Sequence, residues 1–367
     1  MCVEGVNLSG RKLMASKIHD GVALPKLTSS ADALLQLQHV GMEGRPTSVI
    51  VAAGPFTTSD NLDYEPLQDL LSHLLLDAPD VVILTGPFVD LLHPNVAQGD
   101  MSLPLEDGSS MAVTPEVLFA NRVAGLLEQL YEDYYHNSAD GRELETQFVL
   151  VPSLDDIIVQ GGAVYPQPPL TDCINFNKST TPTILDGLEI GTLGLHHVET
   201  AGRKDGSSKK RIHCVSNPCT FQINEVVFGI TSTDVIQHIC SDETNARLSE
   251  KRLLRVAKHL IKQACYYPLF PPSIALDYTH RVETLMPYTP DVLIVPSKLN
   301  VFVEPVECNT SNCLVINPGW LTKGTTGGTY ATMTIYPMKR DTFEQMDSDV
   351  LLDHNVHLRT KVEIKRI

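Results

Sequence analysis

Two aspartates stand where chemistry would sit in this chain, and most of the groups that should accompany them are missing. Val81-Val82-Ile83-Leu84 is an apolar, β-branched run that closes on Thr85-Gly86-Pro87-Phe88-Val89-Asp90. In open α/β sheets, reacting groups gather beyond the carboxyl ends of such strands. A metal-dependent hydrolase would place a carboxylate directly after that glycine. Pro87 stands there instead, and proline offers a metal no donor atom. An earlier strand, Ser48 to Ala53, ends the same way in Gly54-Pro55-Phe56, and a later one, Thr146 to Val151, stops at Pro152-Ser153-Leu154-Asp155.

Two-metal phosphoesterases of the calcineurin-like type draw carboxylates and imidazoles from several strand ends, with the metals ~3.5–4 Å apart. Their sequence marks are Asp-x-His, Gly-Asp-x-x-Asp, Gly-Asn-His-Asp/Glu and Gly-His-x-His. Gly54-Pro55-Phe56 takes the place of the first, and Gly86 to Asp90 keeps only the second acid of the next. Val151-Pro152-Ser153-Leu154-Asp155 replaces the third mark and Pro296-Ser297-Lys298-Leu299 the fourth, followed by the turn Ile316-Asn317-Pro318-Gly319. Losing most of a ligand shell leaves no site for a divalent ion. No metal, cofactor or catalytic residue is therefore expected. Isolated acids such as Asp90 and Asp155 serve as caps and turn formers, and His93 reads as a helix-edge or surface histidine rather than a ligand. The competing reading is a residual metal-dependent phosphoesterase resting on Asp90 and Asp155.

Other motifs carry less. Lys323-Gly324-Thr325-Thr326-Gly327-Gly328 has its lysine before the glycines, the reverse of a phosphate loop, so a glycine-rich bend between strands is expected. Neither a Gly-x-Ser-x-Gly elbow nor a Gly-x-Gly-x-x-Gly fingerprint occurs. On a helix expected near 246–264, Arg247, Lys251, Arg255, Lys258 and Lys262 fall on one stripe. That stripe is either a solvated face or a contact for nucleic acid or an acidic partner.

The elements that must position these residues alternate. After Ser48, strand and helix follow one another: Leu67, Leu70, Leu71, Leu74 and Leu75 mark a helix over 64–77. Thr114-Pro115 opens another with a cap and a first-turn proline, and Val123, Leu126, Leu127 and Leu130 form its stripe. Thr220–Ile223 and Val226–Ile230 flank a tight turn at Asn224-Glu225, and further strands are expected at 291–295, 313–316 and 330–336. Val356, Leu358, Thr360, Val362 and Ile364 predict one face of a last strand. Such alternation argues a layered α/β sheet. Residues 1–27 read as the last strands of a small β unit, 28–47 as a linker holding a short helix at 31–37, and 173–212 as a flexible surface insertion carrying the split basic cluster Arg203-Lys204 and Lys209-Lys210-Arg211.

The 367 residues are 43% hydrophobic and 20% charged, enough for a sizeable core. No apolar run approaches the ~18 residues that span a bilayer. The first residues carry neither a basic start nor an apolar stretch, so an intracellular setting is expected. Eight cysteines with five-residue offsets at 214/219 and 308/313 read as free thiols rather than zinc ligands. A net charge of −16 repels a phosphate backbone and suits basic partner surfaces.

Several segments together resemble the B subunits of DNA polymerase alpha, accessory subunits of the polymerase alpha–primase complex. They are Val51 to Asp60, Pro79 to Phe88, Phe148 to Leu154, Val164-Tyr165-Pro166-Gln167-Pro168-Pro169, Ile230 to Asp234, Tyr266 to Pro272, and Val315 to Gly319 with Leu321 to Gly324. The resemblance implies the end of an oligonucleotide-binding (OB) barrel in residues 1–27 and an inactivated calcineurin-like phosphoesterase domain over 48–367. It implies a scaffold that grips the C-terminal domain of the polymerase catalytic subunit and reaches primase through the complex, in the nucleus, with DNA contact weak or indirect and no membrane. The 173–212 segment is longer than the family's usual connection.

Overall fold

The computed structural model describes the chain except for residues 1, 20, 105–107, 139–140, 160–163, 171–183, 186–187, 190–192, 204–208, 245–250, 309–310, 345–346 and 348. Two mixed sheets face each other with helices outside both. The first sheet runs, edge to edge, Ile212–Cys214, Gln147–Val151, Val81–Thr85, Thr47–Ala53, Thr329–Ile335 and Thr360–Arg366. Its first four strands are parallel, and the last two each join antiparallel to the strand before. The second runs Cys219–Ile223, Val226–Ile230, Val292–Ile294, Ser311–Asn317 and Phe302–Cys308. This is the layered α/β arrangement that the sequence predicts.

Layering explains why the central strands read as unbroken apolar runs. In Thr47–Ala53, alternate side chains leave opposite faces of the sheet. Val49 and Val51 join Ile83, Val149, Phe228, Ile294 and Ile316 between the two sheets. Ile50 and Ala52 face outward and pack with Leu67, Leu70, Leu74, Leu127 and Phe148 under the outer helices. A third cluster closes the far side of the second sheet, where Leu293, Val295 and Val315 meet Val256, Leu260 and Ile261.

Helix Glu65–Asp77 buries Leu67, Leu70, Leu71 and Leu74 on the stripe read from the sequence; Leu75 is only partly buried. Thr114 caps Pro115–Phe119 by accepting from Val117 N, and a π-helical turn at Ala120–Ala124 leads into Gly125–Asn137. Asn224 adopts φ 53° in the tight turn that joins Cys219–Ile223 to Val226–Ile230. Gly324, at φ 62°, supplies the left-handed bend between the short strands Thr322–Lys323 and Thr326–Gly327.

Several boundaries differ from expectation. The last strand starts at Thr360, because Val356–Arg359 forms a helical turn with Val356 fully buried; Thr360, Val362 and Ile364 still share the inward face. The basic helix spans Arg252–Lys262 rather than 246–264, and residues 245–250, Arg247 among them, lie outside the described residues. Between 28 and 47, Thr28–Ser30 pairs with Leu351–Asp353, and Ser30 caps the helix Ala31–Leu35 that continues as a π-helix over Gln36–Gly41. Of the expected insertion, residues 171–183 and Lys204 are not described, whereas helix Leu195–Thr200 buries Leu195 and Val198 in the core. Arg211, expected on a solvated loop, is buried with its guanidinium 4.1 Å above the Tyr131 ring. Cys2–Val6 and Met14–His19 form a two-stranded antiparallel hairpin.

Candidate functional site

The parallel strands of both sheets end at one cleft of about 440 Å³. It is lined by Gly54, Pro55, Gly86, Pro87, Asp90, Ser153, Asp155 and Pro296 among the expected positions. Pro152, Ser297 and Asn317 lie just behind them. Ser232 donates to the Pro152 carbonyl at 2.6 Å, and Ser297 N donates to Asn317 Oδ1 at 2.9 Å. Four distant stretches of sequence thus converge as their spacing on strand ends requires. The described part of the basic stripe is elsewhere, on the outer face of the second sheet, and none of Lys251, Arg255, Lys258 and Lys262 lines this cleft.

The two Gly-Pro-Phe turns touch. A Cβ on Gly54 would lie 2.2 Å from the Pro87 carbonyl oxygen, so only glycine permits this approach. Phe56 and Phe88 stack at 5.4 Å between centroids behind the turns. Both Gly-Pro bonds are cis.

Most polar side chains packed beneath the cleft lining are bound to protein. Asp156, which the sequence reading passed over in favour of its neighbour, is buried and accepts from the backbone N–H groups of Phe88, Val89 (3.0 Å) and Ser153 (2.9 Å). It ties the turn after Val81–Thr85 to the turn after Gln147–Val151. A Cβ on Gly86 would sit 2.1 Å from Asp156 Oδ2, so this glycine makes room for the carboxylate rather than for a metal ligand's neighbour. Burial pushes the Asp156 carboxyl up to about 7, against the pull of its three N–H donors. The doubled acid Asp155-Asp156 is the signal available in the sequence, and it does not say which member is buried.

Asn317 is fully buried and fully used. Its Oδ1 accepts from Ser297 N and Gly319 N, both at 2.9 Å, and its Nδ2 reaches the carbonyl oxygens of Leu299 (3.4 Å) and Asn300 (3.1 Å). Asn217 and Gln167, also unforeseen, form a second buried pair. Asn217 Nδ2 donates to Gln167 Oε1 at 2.8 Å, and Asn217 Oδ1 accepts from Thr231 Oγ1 and Ser232 N, both at 3.1 Å. Gln167 Nε2 then holds the Ser153 carbonyl at 2.9 Å. His93 is at a helix edge, one of the two places expected, but is buried. Its Nδ1 accepts from Asn95 N as the cap of Pro94–Gln98, which leaves Nε2 to donate to the Thr58 carbonyl at 3.0 Å.

Asp90 and Asp155 stay at the cleft. Asp90 is half-buried and its Oδ1 accepts from Leu92 N at 2.9 Å. Desolvation pushes its carboxyl up, and Asp155 adds to the rise. Asp155 is exposed at the mouth, yet the surrounding protein desolvates it enough to push it up, with His238 pulling it back. Among the described residues, no group of three or more His, Cys, Asp or Glu side chains is placed to hold a metal ion. In the basic helix Arg255 is pinned by Glu243 at 2.6 Å, and Lys251, just before it, pairs with Glu304. Their charges are thus partly spent within the chain.

Fold and cleft together define a layered α/β protein whose strand ends meet in a cleft lined by prolines, hydroxyls and two half-spent acids, over buried side chains bound to backbone. The family model for the B subunits of DNA polymerases alpha and epsilon matches residues 49–304, which is most of both sheets. The chain belongs to that family. It is 36% identical to the DNA polymerase alpha B subunit of Mus musculus over 335 residues, 90% of this chain and 45% of that one. It is 30% identical to the protein of the same name from Schizosaccharomyces pombe over 375 residues, 100% of this chain and 55% of that one. The chain spans about half the length of the curated relatives it matches. The solved structure of TT1561 from Thermus thermophilus overlays with a TM-score of 0.34 at 11% identity, covering 88% of this chain and 99% of that one, a likeness too slight to build on. Among the described residues, no helix is long and apolar enough to cross a membrane.

Proposed function

We propose that this chain is a non-catalytic accessory subunit of DNA polymerase alpha–primase. It acts in the nucleus at primer synthesis, gripping the C-terminal domain of the catalytic subunit and meeting the primase subunits through the complex. Contact with DNA is weak or indirect. The phosphoesterase domain is a degenerate frame kept for docking, and the hairpin before it is the end of an OB barrel.

One observation carries the non-catalytic reading. At the strand ends where a bimetallic centre would take its ligands, Asp156 and Asn317 spend their oxygens on backbone N–H groups, and Pro55 and Pro87 bring no donor. A carboxylate already satisfied by three N–H groups is a poor metal ligand, because coordination would strip bonds that burial makes costly to lose. Family membership supports the polymerase assignment. Co-purification with the catalytic subunit's C-terminal domain tests it: the pair should elute together, and a folded chain that leaves the domain behind would refute the proposal. Manganese-dependent phosphodiester hydrolysis that disappears in Asp90→Ala and Asp155→Ala would instead favour the phosphoesterase reading.

A further inference from the structure

The cleft is not a sealed relic. Its mouth opens onto a second hollow of about 340 Å³ that shares Pro55, Asp90, Leu92, Lys298 and Trp320. Trp320 is the single tryptophan of the chain and stands where the two hollows meet. Asp90 and Asp155 line the same cleft, as does Asp234 at the start of helix Val235–Asp242. Asp234 is spent, accepting from Gln237 N and from Lys298 N. The cations facing the cleft are Lys298 and, when protonated, His238. Thr233 also lines the cleft. It is 6% exposed, and its hydroxyl has no hydrogen-bond partner among the described residues.

We propose that this cleft is a socket for an arginine side chain presented by an apolar stretch of a protein partner. Asp90 and Asp155 supply the negative charge, in a chain whose net charge is already −16. Trp320 supplies an aromatic face for a planar guanidinium. Pro55, Pro87 and Leu92 flank the aliphatic stem, and Ile274 and Ala275 the neighbouring residues of the partner. Desolvation already disfavours both carboxylates alone, so an entering cation relieves a cost as well as forming an ion pair. The inference deepens the docking reading of this domain and rests on it.

Two blocked tripeptides, acetyl-Leu-Arg-Leu-amide and acetyl-Leu-Gln-Leu-amide, provide the test, with Trp320 fluorescence of the whole chain as readout at low salt. The arginine peptide should saturate the signal at least about tenfold more tightly than the glutamine peptide. The Asp90→Asn plus Asp155→Asn chain should lose that preference; asparagine at 90 still accepts from Leu92 N, so the turn is kept. Equal response to the two peptides, or response to neither, overturns the socket. So does a saturable response to Mn²⁺ alone that the double variant abolishes, which would make this a metal site, or a response to inorganic phosphate, which would assign recognition to Lys298. A second arm separates this idea from the one beneath it. If the unaltered chain fails to retain the polymerase C-terminal domain, the accessory-subunit reading falls. If unaltered and doubly substituted chains retain it equally, only the socket falls.

Discussion

Asp156 and Asp291 are both buried carboxylates near strand ends, and they titrate in opposite directions. Asp156, at the cleft floor, is held by three backbone N–H dipoles and has Asp90 as its charged neighbour; its carboxyl is pushed up to about 7. Asp291 precedes Val292–Ile294 at the opposite end of the second sheet. Burial alone would raise it too, but His354 Nδ1 at 3.1 Å, Lys26 Nζ at 3.1 Å and Val227 N at 3.0 Å together hold it below the ordinary carboxylate value. Ser29 extends the network, with its Oγ 3.0 Å from His354 Nε2. At Asp156 three N–H dipoles do not offset full burial, whereas at Asp291 a lysine and an imidazole within hydrogen-bond reach, with one N–H, do. The two regions also have different purposes. The Asp291 network joins segments around 26, 227, 291 and 354 that are far apart in sequence, which is architecture. Asp156 joins two turns beside an open cleft.

The largest effect should come from Asp291→Ala. It removes the carboxylate from Lys26, whose side chain is 4% exposed and keeps only the neutral Asn312 carbonyl, and from a wholly buried His354. Removing one partner of a buried pair costs about 3–5 kcal/mol, to be read by denaturant unfolding; a loss under about 1 kcal/mol would show that the network contributes little. Gly86→Ala comes next. Its Cβ would press on Asp156 Oδ2 and Ser153, with an expected cost of about 1–3 kcal/mol. Asp156→Asn should cost a similar ~1–3 kcal/mol, because the amide turns a donor toward one of the N–H groups the carboxylate accepts.

pH sharpens the contrast. Folded Asp156 keeps its proton to about 7, whereas an unfolded aspartate loses it near 3.8. Between those values the folded state binds more protons, so this group's contribution falls as pH rises and is gone above about 7. Asp291 has the reverse sign: its contribution is present above 3.8 and is lost as pH falls through its lowered folded value. The stability of the unaltered chain relative to the Asp156→Asn chain should fall as pH rises from 4 to 7; a constant difference would mean that Asp156 does not change protonation on folding in that range. The smallest effect is Ser29→Ala, which removes one hydrogen bond to His354 and should cost about 0.5–1.5 kcal/mol.

Much of the frame was legible in the residues. The Leu67 to Leu74 stripe, the Thr114-Pro115 cap and the Asn224 turn are local signals, decided within a few residues, and the structure follows them. The convergence of Gly54, Gly86, Ser153 and Pro296 was legible because parallel strands must end on one side of a sheet. Boundaries that depend on partners were not. Val356 alternates like a strand residue but turns helical because its side chain is needed between the sheets. Arg211 reads as a loop cation until Tyr131, far earlier in the chain, provides the ring beneath it.

By itself, the order of residues determined the layered class, the strand ends and the absence of donor atoms at Pro55 and Pro87, since backbone periodicity and side-chain chemistry are properties of neighbours in the chain. Only the tertiary structure decided which acids matter. Asp155 and Asp156 are adjacent and chemically identical, yet one faces the cleft mouth and the other is sealed on three N–H groups. That choice is made by packing, because a carboxylate's charge and hydration depend on what distant segments place within a few ångströms of it.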